Sequence, residues 1–123
     1  MMLGLGCDLC DVARIRRAME NPRFLARIYT PKEQEHIARR GSETAAGLFA
    51  AKEAVSKALG TGFRGFGFQN IEILPDDVGR PVCSLTGGAQ ERLKAMGGRC
   101  VWVSISHSGG FAMATAVAEG GDK

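Results

Sequence analysis

The stretch "FAAKEAVSK" (residues 49–57) lies near the centre of the chain and predicts a partly buried helix. Most of its positions carry small or apolar residues, which favours packing against other parts of the fold. Lys52, Glu53 and Lys57 interrupt that pattern. Because residues four apart share one face of a helix, Phe49, Glu53 and Lys57 form a stripe. The function of these charges in a helix suited to a core is the question that the sequence raises.

Two interpretations of these charges are open. Spacing alone favours an exposed ion pair between Glu53 and Lys57, worth about 0.3–0.5 kcal/mol. The surroundings favour a second interpretation, because alanines flank the charges and a glycine-rich "GTG" (residues 60–62) follows the helix. Charges among alanines are costly unless they are partnered. A carboxylate beside lysines and a glycine loop can hold a hard cation and the phosphates that the cation bridges.

The N-terminal segment "MLGLGCDLCDV" (residues 2–12) has no helical period. Its mixture of Leu, Val, Cys and Gly predicts a short buried strand that ends near Asp8. Asp11 is suited to cap a helix that continues to about Met19 or Glu20, and Asn21-Pro22 ends it. A short helical piece, "RFLARIY", then follows.

Strong boundary signals surround the central helix. "TPKE" provides Thr30 as N-cap, a proline at the first helical position and Glu33 as the capping-box partner. This helix is expected to reach about Arg40 and to break at Gly41. Either of two hydroxyl residues, Ser42 and Thr44, can cap the central helix. That helix is expected to end at Leu59, with Gly60 as its C-cap.

Alternating patterns dominate the remainder of the chain, and they predict strands. In order, the segments are "NIEIL", a turn at "PDDVGRP", "VCSL", a helix from Gly88 to Met96, "RCVWVSIS" and "FAMATAVA". The last two strands, joined by "HSGG", predict a hairpin with His107 at its tip. A strand, then helices, then a meander with one more helix argues for an α+β fold rather than a doubly wound sheet.

Length and composition describe an ordinary globular protein. With 123 residues, 45% hydrophobic and 24% charged, residues 1–123 are expected to form one domain. No apolar run approaches the roughly 20 residues of a membrane span, and the N-terminus lacks a basic leader, so a cytoplasmic protein without a membrane partner is expected. The four cysteines are expected to be reduced thiols rather than disulfides or zinc ligands.

Positive charge is concentrated near the N-terminus, although the net charge is only +3. The basic residues of this segment are Arg14, Arg16, Arg17, Arg23 and Arg27, and only Glu20 opposes them. Such a patch suggests an acidic partner, either nucleic acid or protein.

Two further residues are candidates for a site. Magnesium usually takes one or two protein carboxylates, so Glu53 needs a second acid. Asp8 is the natural choice at the end of a buried strand, although a turn or capping role is an equal alternative. His107 is a candidate because of its place in the hairpin, where a histidine is more often incidental than catalytic. His36 is interpreted as a surface residue of the helix that precedes the central one.

Four segments together resemble the holo-[acyl-carrier-protein] synthases, the small bacterial class of 4'-phosphopantetheinyl transferases. They are "GLGCDLCDVARI", "AGLFAAKEAVSKALGTG", "IEILPDDVGRPVCSL" and "VSISHSGGFAMATAV", and the resemblance covers nearly the whole chain. It implies the 4'-phosphopantetheinyl transferase-like fold, with a short antiparallel sheet packed against a long central helix. One departure stands out, since Leu48 occupies a position where relatives commonly have Arg.

The family moves the 4'-phosphopantetheine arm of coenzyme A to a serine of an apo carrier protein. Carried onto this chain, the resemblance implies magnesium ligands at Asp8 and Glu53 and a pyrophosphate-binding lysine at Lys57. It also implies coenzyme A contacts at Lys57, Gly60, Pro81 and His107, and catalytic roles for Glu53, Lys57 and His107. A metal-bound water or His107 is left open as the base. Coenzyme A is expected at the subunit interfaces of a homotrimer.

The basic patch acquires a partner in this interpretation, because carrier proteins are typically acidic around the modified serine. Carrier contacts are therefore expected at Arg14, Arg17, Arg23 and Arg27. A nucleic-acid-binding module, built on these arginines and three loop phenylalanines, is disfavoured because only 7% of residues are aromatic. A non-catalytic interaction domain is disfavoured because it leaves Asp8, Glu53 and Lys57 unexplained.

Overall fold

The computed structural model describes residues 1–121. In chain order its elements are β1 (Met2–Asp11), α1 (Val12–Ala18), α2 (Pro22–Ile28), α3 (Pro31–Arg40), α4 (Ser42–Ala58), a 3₁₀ turn (Phe68–Asn70), β2 (Ile71–Pro75), β3 (Pro81–Leu85), α5 (Gly87–Ala95), β4 (Gly98–Ser108) and β5 (Phe111–Gly120). This order confirms the α+β prediction. Among the described residues, no helix has the length and apolar character that crossing a membrane requires.

An antiparallel sheet with the strand order β1-β5-β4 packs its inner face against α4, and β2 and β3 form a separate hairpin. The inner face is made of very small residues. On β5 these are Ala112, Ala114, Ala116 and Ala118, all fully buried. On β1, a Cβ atom added at Gly6 would overlap the carbonyl oxygen of Ala54. The sheet therefore touches the helix backbone directly.

The outer face of the same sheet is apolar and exposed. Its large side chains, each 45–64% exposed, are Leu5, Leu9, Trp102, Phe111 and Met113. This arrangement corrects the prediction of a buried β1 that ends near Asp8. The strand continues to Asp11, and Leu5 and Leu9 point away from the helix while Gly6 and Asp8 point toward it. The sequence has the alternation of a strand, but its large apolar residues lie on the outer face.

The helix boundaries confirm most of the capping predictions. The Asp11 side chain accepts hydrogen bonds from the first turn of α1, and Thr30 and Glu33 form the complete capping box of α3. The prediction that Ser42 or Thr44 caps α4 is wrong. Gly41 occupies the N-cap position at φ 100°, and no side-chain cap is found there within the described residues. The central helix ends at Ala58, one residue before the prediction.

His107 lies in β4, opposite Ala112 of β5, and not in the hairpin turn. Gly109 and Gly110 make the turn at φ 58° and 84°, a conformation that favours glycine. His107 was predicted at the tip of the hairpin, but the tip begins two residues later, at Gly109. Its side chain direction is fixed by the sheet rather than by a loop.

Lys52 is fully buried and belongs to the core. Its Nζ atom lies 2.7 Å from Oε1 of Glu33, which is also fully buried, and it donates to the carbonyl oxygens of Phe68 and Ile71. The other carboxylate oxygen of Glu33 accepts from the backbone N–H of Ile73. Burial lowers the pKa of Lys52, and the charge of Glu33 opposes that shift. This network joins α4 to α3 and β2.

Candidate active site

Asp8 and Lys57 meet where β1 crosses the C-terminal half of α4. Asp8 follows Gly6 on the same strand face, so the close approach at that glycine brings its carboxylate to the helix. The Nζ atom of Lys57 lies 3.2 Å from Oδ1 of Asp8 and donates to the carbonyl oxygen of Cys7 at 2.9 Å. The structure therefore brings together two residues that the sequence separates by 49 positions.

Glu53, one turn before Lys57, completes this cluster. The exposed Glu53–Lys57 ion pair that spacing favoured does not form within the part of the chain that the structure describes, since Lys57 pairs with Asp8. Partial burial raises the pKa of Glu53, the negative charge of Asp8 raises it further, and Lys57 offsets part of the effect. The carboxylates of Asp8 and Glu53 thus lie near a single half-exposed cation, Lys57, which forms its ion pair with Asp8.

This donor set fits a magnesium ion. Magnesium takes one or two carboxylates and completes its octahedron with waters and phosphate oxygens. Among residues 1–121, no group of three or more His, Cys, Asp or Glu side chains that could hold a metal ion is found. Burial and then the negative charge of Asp8 raise the pKa of Glu53, and a divalent cation would offset the Asp8 contribution. Asp8 and Glu53 could hold such an ion, and Lys57 could bind phosphate beside it.

His107 lies at the opposite edge of the sheet. Its Nε2 atom is 2.8 Å from the carbonyl oxygen of Glu43, in the first turn of α4. Because a carbonyl oxygen only accepts, this Nε2 atom carries a proton and the neutral ring keeps its free lone pair on Nδ1. The ring fits against the helix because residue 47 is glycine, where a Cβ atom would lie 3.1 Å from Nε2.

A cavity of about 210 Å³ lies beside His107. Its lining residues come from α3, α4, β2, the β2–β3 turn, β3 and β4: His36, Thr44, Gly47, Leu48, Ile73, Leu74, Pro75, Gly79, Pro81, Ile105 and His107. The structure therefore brings Pro81 and His107 together. It also corrects the interpretation of His36 as a surface residue, because His36 is half-buried in the cavity wall. Leu48 is only 5% exposed and lies in the same wall.

The two groups of candidate residues are separated within one chain. β5 lies between β1, which carries Asp8, and β4, which carries His107, so these strands are about 10 Å apart. Along α4, Gly47 beside His107 and Glu53 are separated by about 9 Å of helical rise. Gly60 follows α4 on the Lys57 side, so it does not join Pro81. One chain therefore presents two separate groups of candidate residues rather than one cleft. The group with Asp8, Glu53 and Lys57 is called the Asp8 half-site, and the group around His107 is called the His107 half-site.

The predicted carrier-binding arginines lie beside the Asp8 half-site. Arg14 and Arg17 are exposed on α1, and Arg23 and Arg27 are exposed on α2. Between these helices and α4 is a cavity of about 140 Å³, which the sequence did not predict. It is lined by Cys10, Arg14, Ile15, Ala18, Phe24 and Phe49. Burial and then the Asp8 charge raise the pKa of the Cys10 thiol to about 11, which keeps it neutral.

Comparisons with known proteins show what the chain is similar to. Residues 4–116 match the model of the 4'-phosphopantetheinyl transferase superfamily. The chain is 44% identical over 122 residues to a holo-[acyl-carrier-protein] synthase of Clostridium novyi (strain NT), covering 97% of this chain and 88% of the relative.

Solved structures extend the comparison to the fold. The crystal structure of holo-[acyl-carrier-protein] synthase from Neisseria meningitidis matches with a TM-score of 0.88 and 35% identity, over 97% of this chain and 99% of that one. The Bacillus anthracis enzyme, in complex with CoA (3',5'-ADP), matches with a TM-score of 0.82 and 35% identity, over 98% and 99%. The resemblance indicated by the sequence motifs, and the fold that it implied, are therefore confirmed.

Proposed function

The chain belongs to the 4'-phosphopantetheinyl transferase superfamily, and from this premise we propose that it transfers the 4'-phosphopantetheine group of coenzyme A to an apo acyl carrier protein. The oxygen of a carrier serine forms a bond to the β-phosphorus of coenzyme A. The bond from that phosphorus to the bridging pyrophosphate oxygen breaks, and adenosine 3',5'-bisphosphate leaves. The observation that carries the proposal is the cluster of two carboxylates and a lysine at the crossing of β1 and α4.

We infer that Asp8 and Glu53 hold magnesium. When bound, the ion offsets the negative charge that develops on the pyrophosphate oxygens. Lys57 is held over the site by Asp8 and the Cys7 carbonyl oxygen, and its side chain is 52% exposed. Its ammonium group can therefore donate to a phosphate oxygen without large movement. Position and electric field, rather than covalent chemistry, supply most of the catalysis in such a reaction.

His107 is the protein group proposed to accept the serine proton. Its Nε2 proton is committed to the Glu43 carbonyl oxygen, so the Nδ1 atom takes the proton. The carbonyl then also stabilises the positively charged ring, since both nitrogens of the imidazolium are donors. This role requires the His107 half-site to face the Asp8 half-site of another chain.

We propose a homotrimer with coenzyme A bound between subunits. The exposed apolar outer face of the β1-β5-β4 sheet supports assembly, because contiguous apolar surface is rarely left in contact with water. Copies of this chain are the proposed occupants, since the two half-sites lie at opposite edges of that sheet. Light scattering should give three times the 13.1 kDa chain mass, and a fully active monomer would contradict the shared site.

The carrier protein is proposed to dock on α1 and α2. Arg14, Arg17, Arg23 and Arg27 attract its acidic surface and set its orientation. The neighbouring cavity of about 140 Å³, between Arg14 and Phe49, can receive an apolar carrier side chain. Docking here would bring the carrier serine to the Asp8–Glu53 cluster. Cys10 lies two residues after Asp8 on the same face of β1, and Phe49 lies about one helical turn before Glu53 on α4. The product would support fatty acid or polyketide biosynthesis in the cytoplasm.

Intact-mass spectrometry tests the reaction. An apo acyl carrier protein is incubated with this protein, coenzyme A and magnesium, and a parallel sample contains a chelator. The proposal predicts a mass gain of one phosphopantetheine group that the chelator abolishes. The absence of any gain with carriers of both fatty-acid and polyketide type would contradict it.

A further inference from the structure

The segment between α4 and the 3₁₀ turn, called the glycine-rich loop here (residues 60–67), runs back along α4. It leaves the helix at Gly60, one turn after Lys57. It ends at the 3₁₀ turn, where the ring of Phe68 stacks on that of Phe49 with the ring centroids 5.6 Å apart. Phe49 lies about two helical turns before Lys57, so the loop and the helix run side by side for about 12 Å.

Glu53 lies in a groove between this loop and β1. On one side of Glu53, Lys57 pairs with Asp8 of β1. On the other side, Lys52 donates to the carbonyl oxygen of Phe68 at the end of the loop. The rotation of an α-helix places Glu53 between Lys52 and Lys57 around the helix axis. The groove above Glu53 therefore has β1 as one wall and the glycine-rich loop as the other.

A continuous row of phenylalanine rings joins the loop to the cavity of about 140 Å³ beside α1 and α2. From α2 to the loop, the rings are those of Phe24, Phe49, Phe68, Phe63 and Phe66, with successive centroids 6.3, 5.6, 4.0 and 5.7 Å apart. All five side chains are half-buried, so part of each ring is in contact with solvent. The apolar surface that begins at the cavity therefore continues along the loop.

The loop has its shape without a partner. The backbone N–H of Gly62 donates to the carbonyl oxygen of Ser56 at 3.1 Å. A Cβ atom added at Gly88 of α5 would overlap the carbonyl oxygen of Gly65, so the loop touches the backbone of that helix. Gly62 and Gly65 have φ 60° and 89°, which favour glycine. Because this wall is already formed, a partner that binds to it loses little free energy in ordering the loop.

Arg64 gives the loop a positive charge. Its side chain is exposed between Phe63 and Phe66, and it forms no ion pair with the residues that the structure describes. At the other end of the row of rings, Arg14 lines the cavity beside α1. An apolar row with a cation at each end is complementary to a protein surface that has apolar side chains between carboxylates.

We propose that the glycine-rich loop is the second wall of the carrier-binding surface and that Phe63 and Arg64 determine which carrier proteins are accepted. This proposal rests on the function proposed above, in which the carrier docks on α1 and α2. The arginines of those helices attract any acidic carrier, because long-range attraction depends little on the position of each charge. The loop contacts the carrier beside Glu53, so tight binding requires an apolar side chain opposite Phe63 and a carboxylate opposite Arg64.

Steady-state kinetics of carrier modification tests the role of Arg64. In Arg64→Glu, kcat/KM for an apo acyl carrier protein should fall about tenfold at low salt and by less at high salt, while the KM for coenzyme A stays nearly constant. The matched control Lys94→Glu, at an exposed position of α5, changes the net charge equally and should alter kcat/KM less than about twofold. Phe63→Ala should raise the KM for the carrier severalfold, because it removes part of the apolar wall.

A charge exchange separates direct contact from a general effect of charge. The exposed acidic residues of the carrier are replaced by lysine one at a time, and each variant is assayed with wild type, Arg64→Glu and Lys94→Glu. One carrier variant should be modified by Arg64→Glu with a kcat/KM at least about threefold above the value that the two single changes predict. No carrier variant should show this coupling with Lys94→Glu. A purely structural role of Arg64 would not produce it.

Each outcome decides the proposal. If Arg64→Glu retains the wild-type kcat/KM, or if no carrier variant couples to it, the loop does not contact the carrier, even when wild type transfers the group normally. A larger effect on the KM for coenzyme A than on that for the carrier would also overturn the proposal. Because Arg64 is exposed, its variants keep the proposal testable if Phe63→Ala does not fold.

Calorimetric titration with an apo acyl carrier protein decides the case in which wild type modifies no carrier. Weaker carrier binding by Arg64→Glu than by wild type and Lys94→Glu would support the surface although the transfer reaction fails. Equal binding by the three proteins, or no binding by wild type, would overturn the surface.

Discussion

Lys52 and Glu53 are neighbours in the sequence but have opposite surroundings. Lys52 points toward α3 and β2, where Glu33 and two carbonyl oxygens satisfy its charge inside the protein. Partial burial and then the negative charge of Asp8 on β1 raise the pKa of Glu53. The positive charge of Lys52 is fully compensated by groups of the fold, whereas the carboxylate of Glu53 lies near the carboxylate of Asp8, which has the same sign.

We interpret Lys52 as a structural charge, and the functional role of Glu53 is the one proposed above. A buried ion with all its hydrogen bonds satisfied helps to fix the arrangement of the helices around it. A pair of carboxylates with only one exposed lysine between them is costly for the isolated protein, and a cation from solution relieves that cost. Whether a charged side chain has its partners in the same chain is therefore a better indication of its role than whether it is buried.

Substitution of Glu53 should have the largest effect on activity. Glu53→Gln keeps the side-chain shape but removes the charge that holds the cation, so the rate of carrier modification should fall at least about a hundredfold. Thermal stability should not fall, because the repulsion with Asp8 is removed. Asp8→Asn should behave in the same way. A folded Glu53→Gln protein with a near-normal rate in limiting magnesium would show that Glu53 is not a ligand.

Substitution of Lys52 should affect stability instead. Lys52→Met leaves the buried Glu33 carboxylate without its cation and should lower the free energy of unfolding by about 3–5 kcal/mol, measured by denaturant titration. The matched control Lys94→Met, on an exposed position of α5, should change it by less than about 0.5 kcal/mol. Combining Lys52→Met with Glu33→Gln should restore part of the loss. An unchanged free energy of unfolding in Lys52→Met would show that the Lys52–Glu33 pair does not stabilise the fold.

Arg14 should have a smaller effect that is confined to one substrate. Arg14→Ala should raise the KM for the carrier protein severalfold while the KM for coenzyme A stays nearly constant, and the effect should shrink at high salt because surface charges are screened. Steady-state kinetics with each substrate varied in turn measures this. Equal changes in both KM values would assign Arg14 to the nucleotide pocket rather than to the carrier surface.

The sequence predicted the features that depend on near neighbours. Thr30, Pro31 and Glu33 lie within four positions, and their capping chemistry located the start of α3 correctly. The order of strands and helices was also correct, because hydrophobic periodicity is local. Glu33 shows the limit of such reasoning, since its second role, neutralising Lys52, depends on a contact between two helices.

Features that depend on distant contacts were missed or wrong. His36 was interpreted as a surface residue, because its own helix gives no sign of the cavity that β2, β4 and α4 complete. The whole of β1 was expected to be buried, but Leu5 and Leu9 are exposed, because alternation gives the period of a strand and not which face meets the helix. Lys57 pairs with Asp8, and not with Glu53 as spacing alone favoured, because the glycines of β1 allow its backbone to touch α4. In each case the missing information was tertiary.

Metal binding can be measured without turnover, to determine whether Asp8 and Glu53 hold a cation from solution. Wild type is titrated with Mn²⁺, a probe for the proposed magnesium site, in the presence of coenzyme A, and electron paramagnetic resonance reports the bound ion. We expect one bound ion per chain, lost in Asp8→Asn and in Glu53→Gln and retained in Lys94→Gln. Equal Mn²⁺ binding by wild type and Glu53→Gln, or none by wild type, would contradict it.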